Sequence, residues 1–157
     1  MGVSGSGKST IAERLATEIN AKFLDADDYH PPANINKMQQ GEALNDEDRW
    51  PWLEIFGKEM AAQGVSCVGA CSSLKRSYRE KLSESAEAAI LFIYLDGSKE
   101  LLMQRITGRT DHFMPSTLLE SQLDTLEVPD ANEFAISISI DGTPDDIIKM
   151  IKQEIKA

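Results

Sequence analysis

Residues 2–9 read Gly-Val-Ser-Gly-Ser-Gly-Lys-Ser and meet every fixed position of the phosphate-binding pattern G-x-x-x-x-G-K-[ST]. Glycines at such spacing let the backbone wrap closely around an anion and turn its N–H groups inward. Lys8 supplies a point charge for β- and γ-phosphates, and the Ser9 hydroxyl is placed to ligate Mg²⁺. The segment from Thr10 onward reads as a helix whose N-terminus faces the phosphates, a second source of positive potential. The nucleotide-binding set is therefore Gly2, Val3, Ser4, Gly5, Ser6, Gly7, Lys8, Ser9 and Thr10. This chemistry is the handling of a nucleoside triphosphate with Mg²⁺.

Three further clusters have the composition of reactive sites. The first is Asp25, Asp27, Asp28 and His30, just past a short apolar run. Carboxylates there can orient a Mg²⁺ shell or accept a proton from a hydroxyl nucleophile, although a solvated acidic turn has the same composition. The second is Lys75 and Arg79, four residues apart near a helix N-terminus. Cations oppose the helix dipole there unless an anion compensates, so a ligand contact is expected in preference to a neutral surface role. The third is Arg105 and Arg109, again four apart, leading into Thr110-Asp-His112. Two guanidinium groups beside a polar turn suit a lid that neutralises a phosphoryl group in transfer. A salt-bridged helix end is the alternative.

The elements that position these clusters alternate between strand and helix, the pattern of a parallel α/β sheet with helices on both faces. Helices are expected over about 9–20, 33–40, 46–63, 74–85, 98–108, 115–127 and from 144. Strands are expected at about 23–24, 65–70, 89–95 and 134–140. Asn45 or Asp46 caps the third helix, and Gly64 closes it. Trp50 and Trp52 read as core anchors. Such sheets bind ligands at the carboxyl ends of their strands, where several of these clusters fall. One domain over 1–157 is expected, with an insertion at about 30–64 and a lid at about 109–115.

The bulk numbers exclude several classes. A net charge of −10 argues against a nucleic-acid partner. No apolar run reaches the ~20 residues of a membrane span, and no signal peptide is visible, so a cytoplasmic protein is expected. Cys67 and Cys71 match neither a zinc nor a redox spacing and read as reduced thiols. A phosphate loop normally follows a buried strand, yet only Met1 precedes Gly2. The first strand is thus expected to be missing, or the start to lie at an internal methionine.

Five segments together resemble the phosphate-loop gluconokinases. They are residues 2–10, 25–38, 44–53 and 71–79, with His112-Phe-Met-Pro and Ser121-Gln-Leu-Asp-Thr-Leu-Glu as the fifth. The resemblance runs in order over nearly the whole chain. It implies a three-layer P-loop kinase fold similar to adenylate and shikimate kinases, and transfer of the ATP γ-phosphoryl to the 6-hydroxyl of D-gluconate. It implies Ser9 and Asp25 on the Mg²⁺ side, and Lys8, Asp27, Arg105 and Arg109 as catalytic groups, with Asp27 facing the substrate hydroxyl. It places Asp27, His30, Lys37, Arg49, Lys75, Arg79 and His112 at the substrate, with Arg105, Arg109 and His112 belonging to the lid. Gly142 and Thr143 fall on the adenine side. A homodimer is compatible with it. The other readings are a kinase for another hydroxy acid such as shikimate, and a non-catalytic nucleotide-binding relative lacking the first strand.

Overall fold

The computed structural model describes residues 1–108 and 116–156. The predicted lid at 109–115, with Arg109 and His112, lies outside the described residues.

Strand β1 (Lys22–Asp25) pairs in parallel with β2 (Cys67–Ala70), and β3 (Phe92–Asp96) pairs in parallel with β4 (Ala135–Ser139). The expected alternation is present, and among the described residues the strands form two pairs. Met1 and Gly2 lie between the pairs. The Met1 amino group donates to Ile93 O at 2.5 Å, Leu95 N–H donates to Met1 O at 3.0 Å, and Gly2 N–H donates to Ser72 O at 3.1 Å. Residues 1–2 therefore bond to β3 on one side and to the segment just after β2 on the other. The predicted strands at 65–70 and 89–95 both shorten at their N-terminal ends, because residues 65–66 and 89–91 have no ladder partner in β1 or β4.

Helix α1 (Lys8–Glu18) starts inside the glycine-rich loop and buries Ile11, Ala12, Leu15 and Ala16, the stripe that a 3.6-residue period requires. It packs on β1, β2 and the amphipathic α7 (Pro144–Lys156), which buries Ile147, Ile148 and Ile151. Helices α3 (Asp46–Ala62) and α4 (Arg76–Ala86) form a second tightly packed pair. Gly57 explains how closely they cross: a Cβ there would lie 2.7 Å from Ser85 Cβ and 3.0 Å from Leu82 O. Phe56 and Met60 of α3 cover Gly69 of β2. Asn45 caps α3 by accepting from Asp48 N–H at 2.8 Å, while the Asp48 carboxylate accepts from Asn45 N–H at 3.0 Å. Helix α2 (Pro32–Gln39) lies within the insertion. Helices α5 (Lys99–Thr107) and α6 (Ser116–Thr125) complete the chain between β3 and β4. Among the described residues no helix is long and apolar enough to cross a membrane.

Candidate active site

The phosphate loop has the backbone its composition requires. Gly5 and Gly7 sit at φ 83° and 87°, in the left-handed region that favours glycine. Gly5 also lies against α5, where an added Cβ would be 3.0 Å from the Ile106 side chain and 3.1 Å from Leu102 O. Lys8 folds back over the loop and donates to Val3 O at 3.0 Å. Ser4 N–H donates to the Gln122 Oε1 of α6 at 2.7 Å, so α6 closes one side of the loop.

Asp25, at the carboxyl end of β1, joins two structures. Its Oδ2 accepts the Ser9 hydroxyl at 2.6 Å, and its Oδ1 accepts Asp27 N–H at 3.0 Å, capping a 3₁₀ turn at Ala26–Tyr29. A hydroxyl and a carboxylate oxygen thus meet at the start of α1. This is a hard-oxygen donor set with few protein ligands, which suits Mg²⁺ completed by water and phosphate oxygens.

The 3₁₀ turn presents Asp27 outward and His30 inward. His30 Nε2 lies 3.6 Å from Asp27 Oδ1, and the His30 side chain is buried against Trp52, with ring centroids 4.2 Å apart and stacked. Asn34, one helical turn further on, contacts His30 Nδ1 through its amide nitrogen at 3.3 Å and donates from the same nitrogen to Asp48 O at 2.9 Å. Nδ1 therefore faces the Asn34 amide and Nε2 faces Asp27. The His30 contact, with a smaller contribution from Lys8, holds the Asp27 carboxyl below the usual carboxylate range against an opposing desolvation. Trp52 is anchored by its indole N–H, which donates to Ala26 O at 2.7 Å. The tryptophan expected as a core anchor thus also fixes the histidine.

Three of the four cations predicted for the pocket, Lys37, Lys75 and Arg79, are held by carboxylates of the chain itself, and Arg49 by Tyr78. Lys37 pairs with Asp48 at 2.8 Å, and Lys75 with both oxygens of Asp46 at 2.9 Å. Tyr78 also donates its hydroxyl to Asp46, accepts from Arg49 at 3.1 Å, and presents its ring face to Arg49 and Lys75 at 5.4 and 5.5 Å. The Tyr78 and Lys75 hydrogen bonds hold the Asp46 carboxyl below its ordinary range, and the same ion pair raises Lys75. Arg79 is 2% exposed, and its guanidinium is bound by Glu133 at 2.5 and 2.8 Å and by the carbonyls of Ser73 and Leu74. The ligand expected to compensate these two cations is thus replaced by carboxylates of the protein, because packing brings Asp46 and Glu133 to them.

Arg105 lies apart from this group. It donates to Ile140 O at 2.8 Å, at the end of β4 and beside Gly142 and Thr143. Thr143 and Asp146 cap α7 reciprocally, with Thr143 N–H and its hydroxyl donating to Asp146 Oδ2 at 3.1 and 2.6 Å. The structure therefore brings Asp25, Asp27 and His30 together with the loop. It gathers Lys37, Arg49 and Lys75 on α2, α3 and the start of α4, and leaves Arg105 apart from them at the carboxyl end of β4. Sequence reasoning missed Asn34, Asp46, Tyr78, Gln122 and Glu133 as site residues. Asn34 carried a signal in its four-residue spacing from His30. Asp46 was legible only as a helix cap, and Glu133 gave none.

The α/β architecture, the glycine loop opening a helix and the polar strand ends define a P-loop kinase. The protein-family model described as an AAA domain matches residues 1–129. A probable gluconokinase from Xenopus tropicalis is 44% identical over 173 residues, covering 99% of this chain and 90% of the relative. A gluconokinase from Gluconobacter oxydans is 43% identical over 160 residues, covering 100% and 89%. The crystal structure of a gluconokinase from Sinorhizobium meliloti superposes with a TM-score of 0.84 at 41% identity, over 99% of this chain and 93% of that one. The chain belongs to the gluconokinase family.

Proposed function

We propose that this protein phosphorylates D-gluconate, transferring the γ-phosphoryl group of ATP to the 6-hydroxyl to give 6-phospho-D-gluconate and ADP. The observation that carries the reading is similarity to gluconokinases at above 40% identity along the whole length of the chain. A cytoplasmic enzyme accords with it.

Phosphoryl transfer leaves little covalent work to a protein, so the residues act by positioning and by charge. The loop N–H groups and Lys8 hold the β- and γ-phosphates, with Gly142 and Thr143 on the adenine side. Ser9 and Asp25 hold Mg²⁺, which when bound neutralises charge on the phosphate oxygens. Asp27 takes the proton of the attacking hydroxyl. Its carboxyl stays ionised at neutral pH, and His30 orients it through Nε2. Lys37, Arg49 and Lys75 surround the gluconate carboxylate and hydroxyls. Their intramolecular pairs keep them in place before substrate arrives, and substrate oxygens then share donors with Asp46 and Asp48. Arg79 supports the pocket as a buried ion pair. Arg105, with Arg109, neutralises charge on the phosphoryl group in transfer, and His112 contributes to the acceptor side.

The test is ADP release with Mg-ATP in the presence of D-gluconate, shikimate or neither. Gluconate-dependent release carries the proposal. Release with shikimate alone, or at a rate independent of acceptor, overturns it.

A further inference from the structure

Lys75 reaches the acceptor pocket from a turn that its own residues do little to stabilise. Ser73, two positions earlier, is 1% exposed and sits at φ 47°, a region that residues other than glycine seldom adopt. Lys75 stands at the N-cap of α4 with an extended backbone and makes no side-chain cap bond. A lysine has no acceptor to offer the free N–H groups of a helix start, and its charge opposes the dipole there. Backbone of this kind persists only where its surroundings over-determine it, and such places cluster at functional sites.

The surroundings come from one distant stretch, between the middle of α6 and the start of β4. Glu127 bonds the backbone on both sides of Lys75. Its N–H donates to Leu74 O at 2.8 Å, and its carboxylate accepts Arg76 N–H at 2.7 Å. It thus supplies the capping acceptor that position 75 lacks. Asp130 holds the Arg76 guanidinium at 3.2 Å, and Glu133 holds Arg79, which in turn donates to Ser73 O and Leu74 O. Earlier in the same stretch, Gln122 accepts Ser4 N–H of the phosphate loop at 2.7 Å. Both Gln122 and Glu127 belong to the motif Ser121-Gln-Leu-Asp-Thr-Leu-Glu, which therefore touches the phosphate loop at one end and the backbone carrying Lys75 at the other.

We propose that Glu127 is a positioning residue for the acceptor: by fixing the peptide groups on either side of Lys75, it aims the Lys75 ammonium. This rests on the placing of Lys75 at the gluconate carboxylate proposed above. The ion pair with Asp46 does not aim the ammonium by itself, because a lysine stem is flexible and follows whatever backbone carries it. A cap that served stability alone would leave the constants for both substrates as they are in the folded protein.

The test compares Glu127→Met, which removes the acceptor at nearly constant size, with Glu127→Gln, which keeps an oxygen there without charge. ADP release is measured with each substrate varied, at a temperature where circular dichroism shows every variant folded. Glu127→Met is expected to raise the KM for gluconate about tenfold, the worth of one charge-assisted hydrogen bond, and to leave the KM for ATP within about twofold of wild type. Glu127→Gln is expected to restore the KM for gluconate. Glu127→Asp, which draws the carboxylate back by one methylene, should repeat the Glu127→Met result and takes its place if Glu127→Met does not fold. Equal rises in both KM values, wild-type values in Glu127→Met, or a Glu127→Gln variant as impaired as Glu127→Met overturns the proposal.

A second arm needs no substrate. The ¹⁵N signal of the Lys75 ammonium, assigned by its loss in Lys75→Met, should show slow proton exchange in wild type and Glu127→Gln and fast exchange in Glu127→Met. Unchanged exchange in Glu127→Met overturns the proposal. Wild type without gluconate-dependent ADP release overturns the proposed reaction instead, and the ammonium exchange then decides the role of Glu127 on its own.

Discussion

The Asp25 carboxylate accepts the Ser9 hydroxyl at 2.6 Å, tying the carboxyl end of β1 to the first turn of the phosphate-loop helix. Asn at position 25 can still accept from Asp27 N–H and still meet Ser9, but it carries no charge. Asp25→Asn is therefore expected to lower kcat/KM about 10–100-fold, the usual cost of disturbing a metal's ligand environment. The Mg²⁺ dependence should shift to higher concentration while the thermal midpoint stays nearly unchanged. A Mg²⁺ titration of activity beside a thermal melt checks this; a large loss of stability with normal Mg²⁺ dependence would assign Asp25 to the turn alone.

Lys75 is held by both oxygens of Asp46. If it binds the gluconate carboxylate, Lys75→Met should raise the KM for gluconate about 10–100-fold, the worth of a charged hydrogen bond, and leave the KM for ATP unchanged. Equal effects on both substrates would place Lys75 outside the acceptor pocket.

Trp52 donates its indole N–H to Ala26 O and stacks on His30. Trp52→Phe keeps an aromatic ring but leaves a buried carbonyl without its donor. A loss of about 1–3 kcal/mol in denaturant unfolding is expected. Turnover should fall further than that loss of folded protein explains, because the ring on which the histidine beside Asp27 stacks is no longer anchored to Ala26 O.

Glu133 and Arg79 form a pair in which both side chains are at most 10% exposed. Glu133→Gln leaves a buried guanidinium without its counter-charge and should cost about 3 kcal/mol at pH 7. The Arg79 hydrogen bonds lower the Glu133 carboxyl in the folded state. A lowered carboxyl contributes stability above its unfolded value, ~4.3, and loses it as pH falls through the lower folded value. The gap between wild type and variant should thus be complete at pH 7 and shrink below about pH 4. Unfolding curves at pH 7, 5 and 3 test this; a gap independent of pH would mean packing, and not charge, holds the pair.

Gly57 sets the approach of α3 to α4, and so the distance from Asp46 to Lys75 and Tyr78. Gly57→Ala should force the helices apart and raise the KM for gluconate together with a loss of stability. Values equal to wild type would show that the crossing can yield without moving the pocket.

Much of the site was legible in the chain because its chemistry is local. Asp25 and Asp27 sit two residues apart at a strand end, and one turn holds both. His30 lies one 3₁₀ turn from Asp27, and Asn34 one helical turn from His30, so spacing alone brings them together. The parallel pairing of alternating strands was legible too, and among the described residues it takes the form of two pairs, β1 with β2 and β3 with β4.

What the sequence determined by itself is the phosphate loop and the order of the elements. Glycine is the residue that reaches φ near 85° without strain, and an apolar period of 3.6 or 2 selects helix or strand within a few residues. Only the tertiary structure decided which carboxylate each cation would take. Asp46 meets Lys75 across 29 residues, and Glu133 meets Arg79 across 54. A charged side chain interacts strongly only within about 4 Å, and in a chain with 26 acidic residues no spacing rule says which of them packing will bring that close.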